Sequence, residues 1–423
     1  MVIITQWNAN SVTAHKAELI KFINLQQRKP DVIIIQETFL KPKQVFTLDG
    51  YNVERNDREI GMKGGVATLL RKGIHYRKLE TPASLESIAT EITINKEKLT
   101  IINLYIPPTS RPDTAELRKL FTDYGQKVVL SGDMNAHNPL WGSDSRNNNG
   151  DIIEDLVTEY NWTVLNMGQP TYQKQAGGTS IIDISIASGA VASKCKLTTE
   201  TQTLGSDHFP SNISYNERIK YDQQSKPKWI QNKADWIHFT EVCRTSITRD
   251  LITDDIEETN SNITIAILDA AKATIPRTAG NIINKKINLP YWNDACTEAV
   301  EAREEARKIA NKSRRETDNI EFKRRKGIAQ RIIKNASREY WQKFCTGLNE
   351  GSRLAPIWKM SRKINGIHDD GVAPALKYNN ILADTTEEKV ELLAQAFSDT
   401  SSSRNYTPSF LQHKNQVEAA FNI

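Results

Sequence analysis

In the first 210 positions of this 423-residue chain, polar residues of a few types recur where apolar runs end. Asn8 and Asn10 follow residues 2–7, Glu37 follows 32–36, Tyr105 follows 100–104, and Asp133 with Asn135 follows 128–132. Asp183 lies inside the apolar stretch 180–188, and Asp207-His208 comes directly after a Gly205-Ser206 turn. Residues at strand ends along one edge of a sheet can converge on a single pocket even when far apart in the chain. The inventory is carboxylates, carboxamides, one Tyr and a His, with no Ser or Cys nucleophile set beside a base. Oxygen donors of this kind suit a hard divalent ion such as Mg²⁺ or Mn²⁺. The chemistry they imply is metal-assisted attack of water on a phosphodiester, in which phosphate charge is neutralised and the nucleophile oriented. Each carboxylate taken singly has a plainer reading as a solvated strand end. Asp183 resists it, because an unpaired charge in an apolar strand is costly, and His208 is its best partner. His137 reads as surface, and the Asn-rich 147–150 as a turn.

The elements that must hold these residues are mostly short strands. Apolar runs at 2–7, 31–37, 65–70, 88–94, 99–105, 128–130, 181–186 and 209–215 read as strands, and 13–28, 113–124 and 151–160 carry helical spacing. Many strands with few helices depart from a strict βαβ rhythm and fit two sheets packed together with helices outside. After Glu217 the pattern changes. Residues 220–233 read as a polar linker, 236–275 as amphipathic helix, and 298–348 as a long helix rich in Ala, Glu, Lys and Arg that Gly327 bends or interrupts. One more helix is expected at 386–397, followed by a Ser-rich mobile segment.

The net charge of +5 is unevenly spread. Residues 301–343 hold fourteen Lys and Arg against seven Asp and Glu, so this segment is strongly basic and the remainder slightly acidic. Any nucleic-acid footprint belongs there. Four scattered cysteines form no CxxC pair, which argues against a zinc site or disulfide framework and for a reducing compartment. No apolar run approaches the ~20 residues needed to cross a bilayer, and the N-terminus lacks a basic n-region. The expectation is a soluble, intracellular protein that makes no membrane contact.

The ordered set Asn8 in QWNAN, Glu37 in QET, Tyr105 in NLYIPP, Asp133 and Asn135 in GDMN, Asp183 in the late strand and Ser206-Asp207-His208 in SDHFP resembles the endonuclease/exonuclease/phosphatase superfamily. It spans about half the chain. The resemblance implies an α+β fold, a four-layer α/β/β/α sandwich followed here by a mostly helical basic region. It also implies roles. Glu37 would hold the metal with Asn8, Asp133 would activate the water that Asn135 orients, and Tyr105 and His208 would contact the scissile phosphate. Asp183 would hold the His208 ring, Asp207 would assist the metal or the leaving group, and Asn10, Thr171 and Ser206 would lie on the substrate side.

Within the superfamily, GDMNAHNPLWGS, the Pro170-Thr171-Tyr172 turn and SDHFP resemble the endonucleases of jockey-like non-LTR retrotransposons. The segments around Leu289–Asn293, Arg338–Trp341 and Ile357-Trp358-Lys359 resemble what such polyproteins carry between endonuclease and reverse transcriptase. Asn10 stands where repair-type abasic-site endonucleases have an acidic residue. Neither Asp254-Asp255 nor Asp369-Asp370 has the strand setting of a polymerase, so no reverse transcriptase active site is expected. The implied organisation is a nuclease domain over 1–217, a linker with an amphipathic helix over 218–285, a basic helical region over 286–365, and the start of a reverse transcriptase region, partly disordered, over 366–423. The implied function is Mg²⁺-dependent nicking of target DNA, Mn²⁺ being the alternative ion, to leave a 3′-OH primer. A superfamily phosphatase and a decayed nucleic-acid-binding remnant are the alternatives. Arg314, Arg315, Lys323, Arg324, Arg325 and Lys326 are the expected nucleic-acid contacts, with element RNA as the second partner. The site of action would be the nucleus, after synthesis in the cytoplasm.

Overall fold

The structure is a computed structural model that describes residues 1–59, 61, 63–174, 177–219, 229–277, 286–348, 357–358, 360, 376–379, 381–383 and 386–421. Residues 220–228 of the expected linker, Lys359 and Asp369-Asp370 lie outside that set. The chain forms two compact units, Met1–Asp222 with Ile287–Ile423, and Gln223–Lys286.

In the first unit, two six-stranded sheets face each other. One contains β1 (Val2–Asn8), β2 (Val32–Gln36), β3 (Tyr51–Asn56), β4 (Val66–Arg71), β13 (Cys195–Thr199) and β14 (Ser211–Tyr215), in the order β13-β14-β1-β2-β4-β3. The other contains β5 (Tyr76–Leu79), β6 (Glu86–Ile94), β7 (Glu97–Tyr105), β8 (Val128–Asp133), β9 (Thr163–Val164) and β12 (Asp183–Ala187), in the order β5-β6-β7-β8-β12-β9. A small ribbon pairs β10 (Tyr172–Gln173) with β11 (Thr179–Ser180), and a single helical turn, α4 (Gly189–Ala192), separates β12 from β13. Helix α1 (Val12–Leu25) covers the outer face of the first sheet, where Leu19, Ile20 and Ile23 meet Ile33, Ile35 and Leu69. Helices α2 (Thr114–Thr122) and α3 (Asn148–Glu159) cover the second, where Leu117, Phe121, Ile153 and Leu156 meet Ile102, Leu104, Leu130 and Ile184. The result is the four-layer α/β/β/α sandwich.

Strand periodicity explains where the chemistry falls. Side chains two apart share a face, and the faces turned inward begin apolar: Val2 and Ile4, Val32 and Ile34, Leu99 and Ile101, and Val129. Continuing by twos along the same strands gives Gln6 and Asn8, Gln36, Asn103 and Tyr105, and Ser131 and Asp133. Each inner face therefore changes from core to polar toward the carboxyl end of its strand. β1 runs parallel to β2, and β7 parallel to β8, so these polar ends fall on one edge of each sheet. β12 runs antiparallel to β8, with Asp183 paired against Asp133, so it brings its first residue to that edge.

Several local expectations change. Residues 147–150 are not a free turn: the Asn147 side chain accepts the Gly150 N–H and caps α3. A Cβ at Gly150 would lie 2.0 Å from the His137 carbonyl oxygen, so the loop and helix need glycine there. His137 is half-buried, with Nδ1 3.1 Å from Ser143 Oγ. The edge strand β13, whose KCKLTT is too polar to show an apolar run, was not expected at all.

The basic segment is two helices rather than one. α7 (Asp294–Ser313) ends at Arg314, whose φ of 55° is left-handed, and α8 (Glu316–Thr346) runs unbroken through Gly327. Gly327 is exposed, with open space where a Cβ would stand, so it costs α8 about 1 kcal/mol of helix propensity relative to Ala without breaking it. Both helices belong to the same compact unit as the sandwich. Near the C-terminus, a helix spans Thr386–Ser401, and a further one spans Pro408–Phe421 beyond the Ser-rich stretch. The second unit contains α5 (Trp236–Ser246) and α6 (Ile256–Thr274), and Asp255 is the N-cap of α6, accepting from the N–H groups of Glu257 and Glu258. No helix among the described residues is long and apolar enough to cross a membrane.

Candidate active site

At the shared edge the two sheets are joined by side chains. Asn8 Nδ2 donates to Asp133 Oδ2 at 2.8 Å, Gln6 Nε2 to Asp183 Oδ1 at 2.7 Å, Gln36 Nε2 to Asn103 Oδ1 at 2.7 Å, and the Tyr105 hydroxyl to Glu37 Oε1 at 2.8 Å. Each bond crosses from one sheet to the other. Gln6 Nε2 also donates to Gln36 Oε1, and Asn103 Nδ2 donates to the carbonyls of Ile35 and Ala67. A continuous chain of buried amides thus ends on Asp183.

Asp183, His208 and Asp133 form the centre. Asp183 Oδ2 lies 2.8 Å from His208 Nδ1, and Asp133 Oδ2 lies 3.8 Å from His208 Nε2. All three are buried, and one ligand atom from each lies within 4.8 Å of the others. Burial works against a charge on His208, but Asp183 and Asp133 outweigh it and raise its pKa, so the imidazolium is favoured. Burial pushes the Asp133 carboxyl up, opposed by His208 and by the N–H donors of Asn8 and Asn135. The hydroxyl oxygen of Thr171, fully buried, accepts from the backbone N–H groups of Ile182 and Asp183. Thr171 therefore fixes the start of β12, beneath the centre.

Asp207 sits to one side. Asn10 Nδ2 donates to its Oδ1 at 3.1 Å, and the Ser206 hydroxyl donates to the carbonyl of Asn8 at 2.8 Å. Burial opposes the charge of Asp207, but His208, Lys326 and Asn10 outweigh it and hold the carboxyl below its usual range. The Tyr105 pKa is raised far above its usual value, first by burial and then by the Glu37 carboxylate, so this phenol stays protonated. Asn135 Nδ2 donates to the Ile106 carbonyl, and its backbone N–H to Asp133 Oδ1. Three of these residues, Asn10, Glu37 and Asn135, have left-handed backbones with φ of 42°, 47° and 45°. Asn tolerates that region; for Glu it costs about 1–2 kcal/mol, which the surrounding bonds must offset.

Asn8, Asn10, Glu37, Tyr105, Asp133, Asn135, Asp183, Ser206, Asp207 and His208 therefore meet at one edge, with Thr171 below. The expected nucleic-acid residues of the basic helices do not form one face. Arg314, Arg315 and Lys323 are exposed, Arg324 and Arg325 both pair with Glu321 at 2.6 and 2.7 Å, and Lys326 turns toward Ser206. Gln6, Gln36, Asn103 and Tyr172, whose ring lies 4.8 Å from that of His208, escaped the sequence reading. The alternation that makes Gln6, Gln36 and Asn103 inward-facing was the signal available for three of them.

Residues 99–212 match the family model described as Endonuclease-reverse transcriptase. The chain is 26% identical over 210 residues to the RNA-directed DNA polymerase from mobile element jockey of Drosophila melanogaster, which covers 48% of this chain and 22% of that protein. It is 27% identical over 214 residues to the probable RNA-directed DNA polymerase from transposon X-element of the same organism, covering 49% and 23%. The chain thus spans less than a quarter of the length of these relatives. Among solved structures, the endonuclease domain of TRAS1, a telomere-specific non-LTR retrotransposon, aligns with a TM-score of 0.44 and 18% identity, covering 52% of this chain and 99% of that one.

Proposed function

We propose that this chain, whose first half is an endonuclease/exonuclease/phosphatase-superfamily fold of the retrotransposon type, nicks DNA by metal-dependent hydrolysis of a phosphodiester. One observation carries the reading: five segments remote in sequence deliver Glu37, Tyr105, Asp133, Asp183 and the adjacent Asp207 and His208 to a single sheet edge. The donor set is oxygen-rich and free of sulfur, which fits Mg²⁺ better than a soft ion. Both Asp183 oxygens and His208 Nδ1 are occupied by one another and by Gln6, and a charged imidazole repels a cation. The ion therefore belongs on the Glu37 side, with Asn8 and Asp207 as its other candidate ligands. When bound it would neutralise phosphate charge and stabilise the departing oxyanion.

The protein groups divide the remaining work. Asp133 accepts the proton of the attacking water, and Asn135 orients that water. His208, held and charged by Asp183, donates to a phosphoryl oxygen, and Tyr105 offers its retained proton to the same group. Asn10 and Ser206 hold Asp207 on the leaving-group side, and Thr171 fixes Asp183 from below. Hydrolysis of this type leaves a 3′-OH, the end a reverse transcriptase needs as primer, and the relatives are named as RNA-directed DNA polymerases. The exposed Arg314, Arg315 and Lys323 support a second contact, with nucleic-acid phosphates, for which element RNA is the candidate. A chromosomal target implies action in the nucleus after synthesis in the cytoplasm.

Supercoiled plasmid is the test. With Mg²⁺ the protein should convert it to the open circle, and with EDTA it should not. Glu37→Ala and Asp133→Ala should each lower the rate by at least about 10²-fold while circular dichroism stays that of the native fold. Activity in EDTA, a variant that nicks normally, or turnover of a soluble phosphomonoester in place of plasmid overturns the proposal.

A further inference from the structure

The helical pair α7–α8 is built into the loop that carries Asp207 and His208. Arg307 donates to the Thr201 carbonyl at 2.5 Å, and its guanidinium lies 4.9 Å from the centre of the Phe209 ring, so it grips the segment 201–209 at both ends. Lys326 reaches the middle, where Nζ donates to the Ser206 carbonyl at 3.3 Å, one residue before Asp207. Asn311 and Gln173 exchange side-chain amide bonds of 2.6 and 2.5 Å, and the Gln173 backbone N–H donates to the Asp207 carbonyl at 2.7 Å. The foundation is buried: Arg303, 1% exposed, makes a two-pronged pair with Glu18 of α1 at 2.8 and 2.7 Å. Glu18 in turn lies against Gly205, where an added Cβ would come within 2.6 Å of its Oε1.

Such a grip is more than a docked neighbour. Arg307 and Lys326 touch segment 201–209 directly, Asn311 reaches it through Gln173 and Arg303 through Glu18, and the first two are cations spent on backbone carbonyls and a ring. A solvated basic face would leave them in water. We propose that α7 and α8 act as a positioning element of the catalytic centre, with Arg307 and Lys326 holding segment 201–209 so that Asp207 and His208 meet their partners. The inference rests on the nuclease reading above for its catalytic consequence, but the loop geometry can be measured independently of it.

The experiment uses the full chain and four variants: Lys326→Met, Arg307→Met, Lys326→Arg, and Lys308→Gln as a control on the exposed face of α7. Hydrogen exchange is read for peptides over 201–209 and, as references, over β1 and β8. The two Met variants should exchange about tenfold faster in 201–209 with β1 and β8 unchanged, since the loss is local. In plasmid nicking they should lose about ten- to a hundredfold in kcat at nearly constant KM, because small misplacements of catalytic groups act on the chemical step. Lys326→Arg should restore both readouts, and Lys308→Gln should alter neither. Unchanged exchange in 201–209, or faster exchange with undiminished kcat, overturns the inference. Faster exchange in a protein that never nicks plasmid, wild type included, keeps the positioning of the loop and overturns the nuclease reading.

Discussion

Asp183 touches no outward-facing group: its two carboxylate oxygens serve His208 Nδ1 and Gln6 Nε2. Its contribution therefore passes through the imidazole, by fixing the tautomer and favouring the charged ring beside phosphate. Residues that act as one unit lose activity together rather than in sequence. Asp183→Ala and His208→Ala should each lower kcat by about 10²–10⁴-fold, and the double variant should be at most a few-fold worse than His208→Ala alone. Losses that multiply would show that Asp183 works on its own. The amide chain behind it gives the same pair its rigidity, because Gln36 and Asn103 hold Gln6 from the far side and leave it few alternative partners.

At the scale of elements, α1 and α8 meet through His15. Its Nδ1 lies 2.9 Å from the Ala9 carbonyl, which requires a proton there and leaves Nε2 to accept from Gln330 Nε2 at 3.4 Å. Burial lowers the His15 pKa below its ordinary value near 6.5, more than the Ala9 carbonyl and the Glu18 carboxylate raise it. The sign follows from linkage. The folded state resists protonation, so the stability His15 confers is complete above the unfolded value and is lost as pH falls through and below about 6.5. His208 has the opposite sign, its raised pKa adding stability that fades as pH rises above that value. Urea unfolding at pH 7.5 and pH 5.5 should thus show wild type losing more stability on acidification than His15→Gln, which keeps a donor for Ala9 but cannot titrate. Equal losses would mean that this junction is neutral to pH.

For the whole molecule, the strongly basic segment 301–343 divides into two populations. Arg303, Arg307 and Lys326 are turned into the sandwich, while Arg314, Arg315 and Lys323 remain free to meet phosphates. Arg324 and Arg325 sit between these cases, each paired with Glu321. Only exposed cations release counterions on binding, each neutralised phosphate adding about −0.9 to the slope of log K against log salt for duplex DNA. Joint replacement of Arg314, Arg315 and Lys323 by Gln should flatten that slope by up to about that amount per residue in a salt titration. Joint replacement of Arg324 and Arg325 should flatten it less, since Glu321 already offsets part of their charge. A slope untouched by the first triple variant would remove nucleic acid as the partner of this face.

The sequence by itself determined the sandwich and most of the catalytic inventory. Both are written locally: apolar runs of strand length, polar residues at their ends, and an Asp in an apolar strand that demanded a partner. His208 could be named as that partner because few groups can satisfy a buried carboxylate. Tertiary structure decided what depends on register and on direction around an axis. Gln6, Gln36 and Asn103 look like ordinary strand residues until alternation in two facing sheets turns all three inward and lets them link into one chain. Arg314 looks like one of many basic residues until the chain reverses there in a left-handed turn, folding a single helical pattern into an antiparallel pair. That reversal also separated the buried cations from the exposed ones, because side chains advance about 100° per residue around a helix and charge counted along the chain cannot tell its two faces apart.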